Sequence, residues 1–72
     1  MNKVNIKTDY IKLGQFLKFE GIISNGSDAK VFLEQAKVLV NNEPEDRRGR
    51  KLYNNDIVSV NNIEYLIIND KN

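Results

Sequence analysis

A chain of 72 residues suffices for one small domain, in which roughly 60% of the unfolded surface can be buried, so modest stability is expected. Eleven Lys and Arg against ten Asp and Glu leave a formal net charge of +1, so any attraction to an anion must come from local clustering. Cysteine and histidine are both absent, which excludes disulfides, zinc centres built on either residue, thiol nucleophiles and imidazole acid–base chemistry.

Val4, Ile6 and Thr8 alternate with Asn5 and Lys7, the spacing of a short N-terminal strand suited to a sheet edge. The opening residues lack the apolar core of a signal peptide, and no apolar run approaches the roughly 20 residues of a membrane span. A soluble cytoplasmic protein with no membrane partner is the expectation, and the absence of cysteine fits a reducing compartment.

Leu13, Phe16 and Leu17 have helical spacing, and Gly21 can end that helix in a left-handed conformation; a helix over about residues 13–20 follows. Lys12, Lys18 and Glu20 fall outside its apolar stripe. Phe19 sits at the stripe's border, where closing the edge of a small core is the expected role, against an exposed ring able to stack on an unpaired base. Ser24-Asn25-Gly26-Ser27 is a turn cluster that supplies capping side chains. Ala29, Phe32, Leu33 and Ala36 then fall at i, i+3, i+4 and i+7, predicting a second helix over about residues 27–36. Asp28 suits the positive end of its dipole. Lys30 does not, and is compensated either by Glu34 one turn on or by an external anion.

Residues 38–41 read as a strand, closed by Asn41-Asn42, which tolerates the positive backbone angles of a two-residue hairpin. Pro44 makes residues 43–46 a loop or a sheet edge. Arg47, Arg48, Arg50 and Lys51 follow, with Gly49 allowing a bend between the cations. Residues 53–56 turn, 57–60 form a strand, Asn61-Asn62 turns again, and 64–69 form the last strand, apolar enough for an interior place. Residues 70–72 should fray. The fold class is α+β: two adjacent short helices packed on a small, mostly antiparallel sheet.

Catalysis finds no support. The carboxylates read as a cap, a helix surface and turns; Tyr10, Tyr53 and Tyr65 read as core or rim; the glycines make no phosphate-binding pattern. Nothing implies a metal, a cofactor or a small-molecule substrate.

The ordered set Gly-x-x-Ala-Lys, an apolar helix, Val-x-Val-Asn, Arg-Arg-x-x-Lys-Leu and Asp-x-Val resembles the S-four type RNA-binding domain, the alpha-L motif, and within it the stand-alone YaaA-like bacterial members. Leu13-Gly14-Gln15-Phe16-Leu17-Lys18 fits as well. The resemblance covers residues 10–69 and implies a single RNA-binding domain over 1–72 with its motif core there. It also implies that helix two and the turn and strand after it contact RNA, through Lys30, Arg47, Arg48 and Lys51, with Arg50 adjacent and Ser27 at the helix start. The sequence departs from the family pattern in three places. Asp28 and Lys30 occupy the turn where many members carry an arginine, Asn42 replaces the hairpin glycine, and Asn55 replaces the glycine of the later Gly-Asp turn.

The resulting expectation is a non-catalytic module for structured ribosomal RNA, acting in ribosome assembly or maturation on ribosomal particles. Four to five phosphate contacts give a log–log salt slope of roughly −3 to −4.5. Two other readings stand beside it: residues 43–51 as a solvated loop whose cations pair with Glu43, Glu45 and Asp46, and a protein-docking module presenting the same cations to an acidic partner.

Overall fold

Alternation at Val4 and Ile6 forms β1 (Asn2–Ile6), and the chain then passes through a two-residue strand, β2 (Ile11–Lys12), directly into α1 (Leu13–Phe19). A 3₁₀ turn at Gly26–Asp28 leads into α2 (Ala29–Gln35). The remainder is strand and turn: β3 (Val38–Val40), β4 (Glu43–Pro44), β5 (Lys51–Leu52), β6 (Ile57–Val60) and β7 (Ile63–Asn69). This computed structural model describes residues 1–69, so the expected fraying of 70–72 lies outside the described residues.

Five strands form one sheet in the order β1-β7-β6-β3-β4, in which only the β1–β7 pair is parallel. The N-terminal strand is thus a full edge member of the main sheet, with Val4 opposite Ile67. A second, two-stranded sheet pairs β2 with β5, Ile11 opposite Leu52 and Lys12 opposite Lys51. Two-residue strands carry no readable periodicity, and the sequence did not announce this pair.

Both helices turn their apolar stripes to one face of the main sheet. Leu13, Phe16 and Leu17 of α1 and Ala29 and Leu33 of α2 meet Val4, Ile6, Val38, Val40, Val58, Val60 and Ile67, all buried. Phe16 stands edge-on to Tyr65, 5.2 Å between centroids and 80° between planes, a favoured aromatic geometry. Asn41-Asn42 and Asn61-Asn62 have φ of 51°, 69°, 49° and 72°, the positive pairs of type I′ hairpin turns. Gly21, at φ 73°, closes α1: its N–H donates to the Lys18 carbonyl at 3.0 Å and that of Ile22 to the Leu17 carbonyl at 2.9 Å, a Schellman motif.

Three local expectations need correction. Ser27 lies inside the 3₁₀ turn rather than at the start of α2, and neither Asn25 nor Asp28 makes a side-chain capping hydrogen bond. Lys30 forms no ion pair with Glu34. Phe19 does not close the core: it is 64% exposed, because the stripe is already filled by Leu13, Phe16 and Leu17 and the Gly21 reversal leaves Phe19 on the outer side.

Phe16→Ala is expected to cost about 3–5 kcal/mol, as for other large-to-small changes in packed cores, read as a lower urea midpoint. A loss below about 1 kcal/mol would contradict this packing.

Candidate nucleic-acid interface

An α-helix leaves its first amides without internal partners. At α1 no side chain fills the gap, since Lys12 in the cap position makes no capping hydrogen bond. The basic loop fills it instead: the Leu13 N–H donates to the Arg50 carbonyl at 2.8 Å and the Gly14 N–H to the Arg48 carbonyl at 2.9 Å. Gly14 permits the approach. A Cβ there would stand 3.3 Å from the Arg48 Cβ, 3.4 Å from the Arg48 carbonyl oxygen and 3.5 Å from the Ala29 Cβ. The β2–β5 pair continues the same seam, so residues 48–52 lie fixed along the beginning of α1.

Within the loop the organising group is Glu45. Its backbone N–H donates to the Val38 carbonyl at 3.0 Å, which holds the residue against the β3 end of the sheet. Its carboxylate accepts from the backbone N–H groups of Asp46 and Arg47 at 3.2 and 3.1 Å. It also accepts from Arg47 Nε and Nη2 at 2.9 and 3.0 Å and from Arg50 Nη1 at 2.8 Å. The Arg47 guanidinium, bound bidentately, holds the Glu45 carboxyl well below the usual range, at about 2; burial opposes this, and Arg50 and the Arg47 amide reinforce it. The same contact raises the Arg47 guanidinium.

The solvated-loop reading holds for the pairing of Arg47 and Arg50 with Glu45 but not for the solvation of that carboxylate, which is buried. Glu45 is the one charged residue buried among those described, and Glu43 and Asp46 form no ion pairs there. The five candidate cations divide accordingly. Arg47 and Arg50 serve the loop, although 71% of the Arg47 side chain and 32% of that of Arg50 still face solvent. Arg48, Lys51 and Lys30 have no carboxylate partner among the described residues. Lys51 Nζ lies 4.9 Å from the ring centroid of Tyr10, which in turn stacks obliquely on Tyr53 at 5.8 Å. Lys30 is exposed on α2, and Ser27 is exposed in the turn before it.

Arg48 has company that the sequence did not reveal. It lines a concavity of about 330 Å³ together with Lys12, Gln15 and Lys18. A glycine inside an otherwise apolar helical pattern is a poor helix former, and that was the available signal that something packs closely on this turn. The concavity thus gathers cations from two separated stretches, Lys12 and Lys18 at α1 and Arg48 in the loop, while the structure brings Lys30 of α2 into no contact with them among the described residues. Among the described residues no group of three or more acidic side chains is placed to hold a metal.

The S4 domain model matches residues 4–68, nearly the whole chain. This chain belongs to the S4 domain family. The probable ribosome maturation protein RlbA of Bacillus subtilis (strain 168) is 52% identical to it over 59 residues, covering 82% of this chain and 83% of that protein. No solved structure matches it. The S4 match begins at residue 4 and so takes in the latter part of β1, which the motif resemblance over residues 10–69 had left out. Of the S4-motif positions, Arg48 and Lys51 are the ones this loop leaves without a carboxylate, and Arg47 is the one it commits to Glu45.

Because Glu45 has a depressed folded-state pKa, its stabilisation is complete above its unfolded value near 4.5 and drains away as pH falls toward 2. Glu45→Gln is expected to destabilise by about 1–3 kcal/mol at pH 7, discounted for solvent reaching Arg47, with the gap to the parent narrowing as the pH is lowered from 5 to 2.5. Urea titrations at several pH values check this; a gap independent of pH refutes the assignment.

Proposed function

We propose that this S4 domain is a non-catalytic RNA-binding module acting in ribosome maturation in the cytoplasm, with structured ribosomal RNA as its target. One observation carries the reading: Arg48 and Lys51 are held without carboxylate partners on a loop whose carbonyls are hydrogen-bonded to α1, beside Lys12 and Lys18. A cluster so fixed neutralises phosphates and releases their counterions with little ordering of its own backbone. The name of the Bacillus subtilis relative, a probable ribosome maturation protein, supports the ribosomal assignment. No helix among the described residues is long and apolar enough to cross a membrane.

Cations drawn from the start of α1 and from the loop form an array across elements rather than along one strand. Such an array suits the spaced phosphates of folded RNA, recognised by shape. Arg47 and Arg50 belong to the support of this array, and Lys30 and Ser27 to its flank.

The test is binding to bacterial ribosomal RNA and ribosomal particles over a range of salt, comparing the native protein with an Arg48→Ala, Lys51→Ala, Lys30→Ala variant that keeps its circular dichroism. Arg47 is left intact because its removal would strand the buried Glu45. A log–log slope of roughly −3 to −4.5 is expected for the native protein, shallower by about 2 in the variant with most affinity lost. Equal slopes and affinities would refute the site.

A further inference from the structure

Phe19 is the unexplained residue of α1. It ends a seven-residue helix whose other apolar side chains are fully buried, yet its ring stands 64% exposed. It is not alone on a convex surface. Together with Thr8, Asp9, Tyr10, Ile11, Lys12, Gln15 and Lys18 it borders an open groove of about 1010 Å³, at the upper end of the roughly 300–1,000 Å³ typical of small-molecule sites. Lys12, Gln15 and Lys18 line both this groove and the concavity of Arg48, so the two run together.

We propose that this groove receives a single unpaired nucleotide of the bound RNA, its base stacked on Phe19 and its flanking phosphates held by Lys12, Lys18 and Arg48. The inference rests on the RNA-binding reading and adds a structural requirement to the target: a bulged or flipped base beside a paired region. Every base has a flat apolar face, and stacking on an exposed aromatic ring is the common means by which proteins hold an unpaired one. Charge follows the same division. Asp9, the one carboxylate among these residues, borders only the Phe19 groove, whereas Lys12 and Lys18 are shared with Arg48, so the phosphates belong on the shared side. The Thr8 hydroxyl donates to the Tyr10 carbonyl at 2.7 Å, which stiffens that part of the groove lining. Gln15 is exposed and supplies both a donor and an acceptor at the junction, suited to a base edge.

The experiment compares two RNA hairpins, one fully paired and one identical except for a single bulged nucleotide carrying 2-aminopurine, by anisotropy and by the fluorescence of the probe base. The proteins are the native chain and the Phe19→Ala, Phe19→Leu, Phe19→Trp and Lys12→Gln/Lys18→Gln variants. The bulged hairpin is expected to bind more tightly, with a fluorescence change at the bulge. Phe19→Ala and Phe19→Leu should lose roughly five- to a hundredfold on the bulged hairpin alone with an unchanged salt slope, and Phe19→Trp should retain binding. Lys12→Gln/Lys18→Gln should make the slope shallower. Equal loss on both hairpins, full retention in Phe19→Leu, or no preference for the bulge overturns the groove while leaving RNA binding intact. Absence of binding to either RNA, or to ribosomal RNA, overturns both. A Phe19→Ala variant that binds the bulged hairpin normally but no longer associates with ribosomal particles makes the groove a protein-docking surface and overturns the proposal.

Discussion

The carboxylate of Glu45 is the fixed point around which the basic loop is built. Arg47, Arg48, Arg50 and Lys51 stand close along the chain and would repel one another in any ordered arrangement of an isolated loop. A buried carboxylate that accepts five hydrogen bonds, two from backbone and three from guanidinium groups, removes that obstacle. Burying an ion is unfavourable unless it is closely paired and its lone pairs are used, and here both conditions hold. Two of the arginines thereby become structural, and the charge left over sits on residues whose backbone the clasp and the α1 contacts have already ordered.

The same loop supplies what α1 lacks. A seven-residue helix without a side-chain cap is marginal alone, and the Arg48 and Arg50 carbonyls complete its first turn. Helix and loop therefore form together. Changes to the loop backbone act on the fold, and changes to α1 move the cations. Side chains that hold no carboxylate of the loop, such as those of Arg48 and Lys51, separate binding from stability better than Arg47, and this is why they rather than Arg47 report on function.

Much of this was legible. The helical spacing of Leu13, Phe16 and Leu17, the strand alternation at Val58 and Val60, the paired asparagines and Gly21 each obey a local rule, and the structure follows them. What escaped depends on contacts distant in sequence. Glu45 sits among Glu43, Pro44 and Asp46 and reads as one more solvated acid; only the backbone bond to Val38 and the return of Arg50 bury it. Lys12 and Lys18 read as the polar side of a helix until the loop is laid against Gly14. Phe19 was assigned to the core by hydrophobicity, but a short helix on a small sheet has room for only three large side chains, and the fourth is left outside.

Those misses share a cause with consequences for recognition. The linear cluster at residues 47–51 overstates its own strength, since Glu45 engages two of its arginines and offsets one of its charges, while the contribution of α1 is invisible along the chain. Asp28, beside Lys30 in the turn where the family resemblance leads one to expect an arginine, weakens the charge of the α2 side further. On the proposed reading, affinity then depends on several modest cations from different elements, each contributing only where a phosphate meets it. A flexible strand would have to order itself to satisfy all of them, whereas a folded RNA presents its phosphates already spaced. On that reading, selection of structured over unstructured RNA follows from the way the cations are distributed.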